Sequence, residues 1–270
     1  IMKRDFLRLW DLNTDEILQL IERAVDLKKG IDSNKCPLIN KSVGLLFEKP
    51  STRTRVSFEV GIYQMGGHPV YMTPSEIQLG RGETISDTAK VLSKYLNGIV
   101  IRTYDHNRIV SFAKSADIPV INGLSNLHHP CQALADLMTI KEKKGTFLDI
   151  KVTYIGDGNN VANSLIEAAA KIGFSLIIAC PEGYEPNADV VQQAREYNSE
   201  IIIIKDPKEA VANADVIYTD VWISMGQENE SQKRRQRFKE YQLNQSLLEC
   251  SKKDVIIMHC LPAHRGEEIT

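Results

Sequence analysis

Short apolar runs alternate with helical segments along most of this chain, and this alternation constrains its fold more than any other feature. The runs KSVGLLF, GIVIRTY and DIPVINGL each end in a polar or glycine-containing loop. Segments with helical apolar spacing, such as GETISDTAKVLSKYL and NRIVSFAKSA, separate them. This order of elements predicts parallel strands that are covered by helices.

The same alternation starts again at DIKVTYIGDGNN and continues to DVIIMHCLP. A chain of 270 residues is long enough for two domains that each bury a core. Between the two alternations, HHPCQALADLMTIKEKKG has a proline near its start and a glycine at its end, which is typical of one helix. We therefore predict an α/β fold with domains at 1–130 and 146–270 and a linking helix at 131–145, each domain being a parallel sheet flanked by helices.

Composition and charge narrow the class of function. Contents of 43% hydrophobic and 25% charged residues are typical of a soluble globular protein, and a net charge of -2 gives no general attraction for nucleic acid or anionic membranes. No apolar run approaches the roughly 20 residues of a membrane span, and the first residues lack the pattern of a signal peptide. The five cysteines are scattered and odd in number, which favours reduced thiols and the cytoplasm. The expected partner is a small molecule.

Polar residues follow the ends of several predicted strands. They are Ser51 to Arg55, Arg102, Asp157 to Asn160, Asp220, and His259 with Cys260. Ligands of open parallel sheets bind beyond the carboxyl ends of the strands. We therefore expect the two domains to face one another across a cleft that holds the active site.

The stretch STRTR, residues 51–55, lies where a strand is expected to turn into a helix, because Pro50 cannot continue a strand interior. Helix-start N–H groups, three hydroxyls and two arginine forks together form a site for a phosphate group. The alternative is that the hydroxyls only cap the helix and that Arg53 and Arg55 are solvated surface charges. A cap needs one hydroxyl and no arginine, so we favour phosphate binding.

Three further motifs have more than one interpretation. GDGNNV follows a predicted strand, but a dinucleotide fingerprint would require a third glycine where Val161 stands. The clusters HHPC and HCLPAH match no common zinc spacing, so we predict no metal. Asp220, in TDVWISMGQE, can hold an ammonium group or can form loop hydrogen bonds.

Seven motifs taken together resemble those of the ornithine branch of the aspartate and ornithine carbamoyltransferase family. They are STRTR, QLGRGE, IRTY, HPCQ, GDGNNV, DVWISMGQE and HCLPAHRG. The resemblance runs in the family's order from about Phe6 to the last residue. Each motif is short, but seven in order make coincidence implausible, and SMG with HCLP indicates the ornithine branch.

The resemblance implies which residues bind the two substrates. Carbamoyl phosphate would be held by Ser51, Thr52, Arg53, Thr54, Arg55, Gln78, Arg102, His129, Gln132, Cys260 and Leu261. Ornithine would be held by Asn160, Asp220, Ser224 and Met225. The catalytic residues would be Arg102, His129, Asp220 and Cys260, and no cofactor is implied. Gln78 would reach a neighbouring subunit's site in a homotrimer, or in a multiple of trimers.

The implied reaction is transfer of the carbamoyl group of carbamoyl phosphate to the δ-amine of L-ornithine, which gives L-citrulline and phosphate. Asp220 and Cys260 would favour the deprotonated amine at the moment of attack. The resemblance also implies that the family continues beyond the position of Thr270, through a loop and a C-terminal helix with an arginine for carbamoyl phosphate.

Other functions stay open at this point. One is a carbamoyltransferase for another amine, such as putrescine or a modified ornithine. A non-catalytic anion-binding protein and a nicotinamide-dependent oxidoreductase are alternatives from other classes. The sequence also leaves open whether the reaction serves arginine biosynthesis or citrulline breakdown.

Overall fold

The structure is a computed structural model that describes residues 3–31, 35–77, 82–197, 200–224 and 228–270. Contacts divide the chain into two compact units, Ile1–Cys131 and Gln132–Thr270. The division falls near the start of a helix, Pro130–Lys144, where one helix is predicted from the sequence. The limits 1–130 and 146–270 remain predictions.

The first unit contains a parallel four-stranded sheet with the strand order β2-β1-β3-β4. Its elements are α1 (Thr14–Lys28), β1 (Ser42–Phe47), α2 (Thr52–Gln64), β2 (His68–Met72), α3 (Ile85–Tyr95), β3 (Gly98–Arg102), α4 (His106–Ser115) and β4 (Val120–Leu124). In this sheet Arg102 lies beside Phe47 on one side and Leu124 on the other. The carboxyl ends of the three strands therefore meet, and the segments that follow them come together.

Side-chain caps start the helices of this unit. The Asn13 side chain accepts a hydrogen bond from the backbone N–H of Glu16, and the Glu16 carboxylate accepts one from the backbone N–H of Asn13, so α1 begins with a capping box. The side chains of Thr84 and Asp105 each accept a backbone N–H at the start of α3 and α4. These local signals explain why the helices begin where polar residues precede an apolar stripe.

The second unit contains a parallel five-stranded sheet with the strand order β7-β6-β5-β8-β9. Its elements are α5 (Pro130–Lys144), which starts at the end of the first unit, β5 (Lys151–Ile155), α6 (Asn160–Ile172), β6 (Ser175–Ala179), α7 (Ala188–Glu196), β7 (Ile201–Ile204), α8 (Pro207–Val211), β8 (Val216–Thr219), α9 (Ser231–Phe238), α10 (Gln245–Leu248) and β9 (Ile256–His259). The predicted α/β fold with two helix-flanked parallel sheets is confirmed.

Two clusters of apolar side chains hold the second sheet. All residues from Val161 to Ala170 of α6 are buried, and this helix packs against β6 and α7. On the side of β8, Trp222 stacks on Phe238, and Tyr184 and Tyr241 contact the Phe238 ring edge-on. The aromatic cluster fixes the segment that follows β8. Within the described residues, every helix is too short or too polar to cross a membrane.

Candidate active site

The STRTR segment forms the start of α2, as predicted. After β1 ends at Phe47, Ser51 adopts an extended backbone and caps the helix. Its Oγ accepts a hydrogen bond of 3.2 Å from the backbone N–H of Thr54 and donates one of 3.0 Å to Thr54 Oγ1. One hydroxyl therefore serves as the cap, while Thr52 lies exposed in the first turn. The first N–H groups of a helix have no partner within the helix and favour a bound anion.

Arg102, at the end of β3, is joined to this helix start. Its guanidinium is buried and donates to Thr54 Oγ1 at 3.2 Å and to the backbone oxygen of Lys49 at 3.2 Å. The backbone oxygen of Arg102 accepts a bond of 2.8 Å from the N–H of Glu48. These bonds fix the guanidinium against the segment that leads into α2.

The other two arginines of the first unit's site are exposed to solvent. Arg53 lies in the first turn of α2, and Arg55 stacks its guanidinium 3.5 Å above the ring centroid of Tyr71. Arg55 also donates to Glu59 Oε1 at 3.0 Å, one turn further along the helix. The stacked ring restricts the Arg55 side chain, while the exposed ion pair is weak and can exchange for a ligand.

His129 follows β4 at the same edge of the sheet. Burial, with the positive charges of Arg102 and Lys49 nearby, lowers its pKa to about 3. The imidazole is therefore neutral and has one N–H to donate. A neutral donor can polarise a carbonyl oxygen without adding a fixed charge.

Lys49 is a buried cation that the sequence analysis did not select. Its ammonium lies 5.2 Å from the ring centroid of Tyr104, and the residue is almost fully covered. Its place between the end of β1 and the STRTR motif is the signal that could have found it. Lys49 adds a third basic group to the surroundings of Arg102 and His129.

In the second unit, Asp220 receives two hydrogen bonds at the end of β8. Asn159 Nδ2 donates to Asp220 Oδ2 at 2.7 Å, and Cys260 Sγ donates to Asp220 Oδ1 at 3.0 Å. Burial and the negative charge of Asp220 raise the pKa of the Cys260 thiol well above its ordinary value. Both effects favour the neutral thiol, which donates the hydrogen bond to Asp220.

Asn159 has two roles, neither of which the sequence analysis assigned. Its Oδ1 accepts from the N–H groups of Val161 and Ala162 and so caps α6, while its Nδ2 holds Asp220. Asn160, the predicted ornithine residue, is the first residue of α6 and is half-buried.

The segment after β8 is tied down by an ion pair. Arg234 of α9 pairs with Asp157 at 3.0 Å and donates to the backbone oxygen of Trp222 at 3.0 Å. Ser224 ends the described part of this segment. The predicted residues Met225 and Gln78 lie outside the described residues.

Backbone packing accounts for the second glycine of the GDG sequence, Gly158, without a bound nucleotide. A Cβ at this position would lie 2.2 Å from the backbone nitrogen of Pro186, and the Gly158 N–H donates to the Tyr184 oxygen at 2.9 Å. The close approach of two backbone segments therefore requires glycine here. Val161, where the dinucleotide pattern needs its third glycine, is buried in α6.

The last predicted residues are Gln132 and Leu261. Gln132, in the first turn of α5, is half-buried and donates from Nε2 to Asp136 Oδ1 at 3.0 Å. Leu261 has a positive φ of 60° and a cis peptide bond to Pro262, and its N–H donates to His259 Nδ1 at 2.8 Å. His259 Nε2 in turn lies 3.1 Å from Oε1 of the buried Glu268, so residues of the second unit itself fix the loop after β9.

This fold and these two sets of residues define a carbamoyltransferase of the kind that the motifs indicate. The carbamoyl-P binding domain of aspartate/ornithine carbamoyltransferases matches residues 4–142, and the Asp/Orn binding domain of the same enzymes matches residues 148–270. The chain belongs to the aspartate/ornithine carbamoyltransferase family, as the sequence motifs predicted.

Individual relatives make the comparison more specific. The chain is 52% identical to an ornithine carbamoyltransferase of Syntrophus aciditrophicus, over 100% of this chain and 90% of that protein. It is 53% identical to a catabolic ornithine carbamoyltransferase of Thermoplasma acidophilum, over 99% of this chain and 89% of that protein. The structure of ornithine carbamoyltransferase from Pyrococcus furiosus is similar with a TM-score of 0.94 and 51% identity, covering 99% of this chain and 87% of that one.

Proposed function

We propose that the protein transfers the carbamoyl group of carbamoyl phosphate to the δ-amine of L-ornithine, giving L-citrulline and phosphate. The observation that carries this proposal is the buried Arg102 guanidinium, which is bonded to Thr54 at the start of α2. The relatives described above, which are named ornithine carbamoyltransferases and share about half of their residues with this chain, support the choice of acceptor.

The first unit supplies most of the groups for carbamoyl phosphate, and Gln132, Cys260 and Leu261 of the second unit would complete them. Ser51 to Arg55 would bind the phosphate through the helix start, the hydroxyls and the two exposed arginine forks. Arg102 and the neutral His129 would donate to the carbamoyl oxygen, where negative charge develops when the amine attacks. The same cationic surroundings stabilise phosphate as it leaves.

The second unit supplies the groups for the amine. Asp220 is an acceptor whose two oxygens are already oriented by Asn159 and Cys260, and this supports the proposal that it holds the amino-acid head group. Asn160, Ser224 and Met225 would complete this part, with Leu261 beside the reacting carbon. Because burial favours the neutral Cys260 thiol, we assign the role of proton acceptor for the δ-amine to an oxygen, either of Asp220 or of the phosphate group.

This chemistry needs no covalent intermediate with the protein. The amine nitrogen bonds to the carbamoyl carbon, the carbon–oxygen bond to phosphate breaks, and the amine loses a proton. Orientation of the two substrates and stabilisation of the developing oxyanion can supply much of the rate.

We also propose a homotrimer, or a multiple of trimers, in the cytoplasm, with a place in arginine biosynthesis. Val56, Val60 and Tyr63 form an exposed apolar stripe on α2, and such a stripe is suited to contact with another subunit. Gln78 would reach the neighbouring site. Free thiols at Cys131, Cys180, Cys250 and Cys260 are compatible with a reducing compartment.

The test is citrulline formation by the purified protein from carbamoyl phosphate and ornithine, with putrescine and aspartate as parallel acceptors. Citrulline from ornithine, with little product from the other two, would establish the proposed function. Product from putrescine would support carbamoyl phosphate as the donor and would overturn the assignment of L-ornithine as the acceptor. Carbamoyl phosphate binding without product from any amine would favour a non-catalytic role.

A further inference from the structure

A buried carboxylate lies one helical turn beyond Gln132. Asp136 is 4% exposed, and its Oδ1 accepts the hydrogen bond of 3.0 Å from Gln132 Nε2. The four-residue spacing on α5 puts both side chains on one face of the helix. We propose that Asp136 is a positioning residue for carbamoyl phosphate, because its carboxylate holds the Gln132 amide with the carbonyl oxygen, Oε1, presented to the carbamoyl NH2 group. This inference rests on the proposed function, in which Gln132 contacts the carbamoyl group.

The chemistry of the two groups gives the orientation. An amide side chain has a donor end and an acceptor end, whereas an ionised carboxylate only accepts. Asp136 therefore selects the NH2 end of Gln132 and leaves the oxygen end for a ligand. A carbamoyl NH2 group is a donor, so this is the end that can bind it.

Stability alone does not explain a carboxylate at position 136. Burial of the group carries a desolvation cost, and in the described part of the chain no lysine or arginine forms an ion pair with it. Its second oxygen, Oδ2, lies near the buried hydroxyl of Tyr218, and the interaction with Tyr218 only partly offsets the effect of burial on the pKa of Asp136. A buried carboxylate that is paired with no cation among the described residues is the kind of group that is found at functional sites.

The surroundings connect Asp136 to the predicted amine groups of the same unit. Tyr218 stacks on Tyr154 with ring centroids 5.9 Å apart, and the Tyr154 hydroxyl reaches Asn159 Oδ1 at 3.3 Å. Asn159 then holds Asp220. Gln132 is thus positioned by the same buried set of side chains that positions Asp220, although the sequence separates the two by most of the second unit.

A double-mutant cycle on carbamoyl phosphate binding tests the proposal directly. We would measure the Kd of carbamoyl phosphate by calorimetry for the wild type, Asp136→Asn, Gln132→Ala and the double variant. An asparagine can donate to Gln132 Oε1 and so permits the reversed amide. Asp136→Asn should weaken binding about tenfold, the scale of one hydrogen bond to a charged group, and should have almost no further effect once Gln132 is alanine.

Equal losses in both backgrounds would overturn the proposal, because Asp136 would then act independently of Gln132. An unchanged Kd in Asp136→Asn would overturn it as well, as would a wild type that does not bind carbamoyl phosphate. Asp254→Asn is the matched control, since that exposed carboxylate contacts Lys144 at the other end of α5. It should leave the Kd unchanged, and thermal unfolding of each variant would show that the fold is retained.

The pH dependence gives a second readout that a structural role would not produce. Burial raises the pKa of Asp136 to about 7, and the titratable groups that face it are Tyr218, Asp220 and Cys260. Below that pH the carboxyl group is protonated and can donate to Gln132 Oε1. The ratio of the Asp136→Asn and wild-type Kd values should therefore fall towards one as the pH drops from 8 to about 6, and a constant ratio would contradict the proposal. Because binding is measured without an amine, failure to form citrulline would affect only the proposed function.

Discussion

The charged residues proposed for the phosphate in the first unit and the charged residues near the proposed amine site in the second unit differ in their exposure to solvent. Arg53 and Arg55 are exposed to solvent at the start of α2. In the second unit Asp220, Asp157 and Asp136 are all buried. Burial raises the pKa of Asp157 to about 6, against the opposing effect of Arg234, and that of Asp136 to about 7.

In the proposed function, a doubly charged phosphate would be met by groups that remain solvated until it binds. The amino-acid head group of ornithine would be met by Asp220, a buried carboxylate that Asn159 and Cys260 already orient. Substitution of an exposed residue that is proposed to bind phosphate, such as Arg53, should mainly weaken the binding of carbamoyl phosphate. Substitution of Asp220 should also disturb the side chains that are hydrogen-bonded to it. Arg102 and Lys49 are the exceptions in the first unit, since both are cationic and buried.

The largest effect is expected for Arg102→Ala. This change would remove the positive charge proposed to face the carbamoyl oxygen and takes one donor each from Thr54 Oγ1 and the Lys49 backbone oxygen, so kcat/KM should fall by about 10³-fold. Steady-state citrulline formation measures it. Arg195→Ala, which removes an arginine bonded to the Ile201 backbone oxygen, is the control and should stay within about twofold. A loss below about tenfold for Arg102→Ala would remove Arg102 from the catalytic set.

A smaller and differently distributed loss is expected for Asp220→Asn. The side chain keeps its shape but loses its charge, and one of its two donors, Asn159 or Cys260, then faces an NH2 group. We expect kcat/KM for ornithine to fall about 100-fold, the scale of one or two hydrogen bonds to a charged group, with the Kd of carbamoyl phosphate unchanged. Separate measurement of the two substrates decides whether the units divide their roles in this way. A parallel loss for both would contradict the division.

The two helix caps offer a comparison on the scale of stability. Ser51→Ala removes a cap of α2 only, which should cost about 1 kcal/mol. Asn159→Ala removes the cap of α6 and also the donor to the buried Asp220, so the cost should rise to about 2–3 kcal/mol. Urea denaturation of both variants measures the difference, and equal costs would mean that the Asn159–Asp220 bond contributes little.

Local sequence patterns predicted the parts of the molecule that local physics determines. The strands β1, β3, β5 and β6 are nearly continuous apolar runs because both faces of their sheets are covered. Strand β2, HPVYM, was not predicted because it contains Pro69 and lies half-buried at the edge of its sheet. Helix α9 was not predicted either, since only Arg234 and Phe238 of SQKRRQRF are buried and no apolar period marks it.

The same limit applies to the site. The residues of the STRTR motif are contiguous in the sequence, so a phosphate-binding site could be predicted from them alone. The partners of Asp220 come from the segments that follow β5 and β9, 61 and 40 residues away, and only the fold brings them together. Nothing in the sequence distinguishes the buried Asp136 from the many exposed aspartates, because burial depends on what packs around α5.

The smallest effect is expected for Cys260→Ser, and it tests the amine end most finely. A serine hydroxyl can donate to Asp220 Oδ1 as the thiol does, so kcat/KM should change by no more than about fivefold. Since burial and the negative charge of Asp220 raise the pKa of Cys260 well above its ordinary value, we expect the thiol to add no titration to the reaction in the ordinary range of a thiol. The pH profiles of kcat for wild type and variant should therefore superimpose after scaling. A step near pH 8 that is present in the wild type and absent from Cys260→Ser would show that a thiolate takes part in deprotonating the amine.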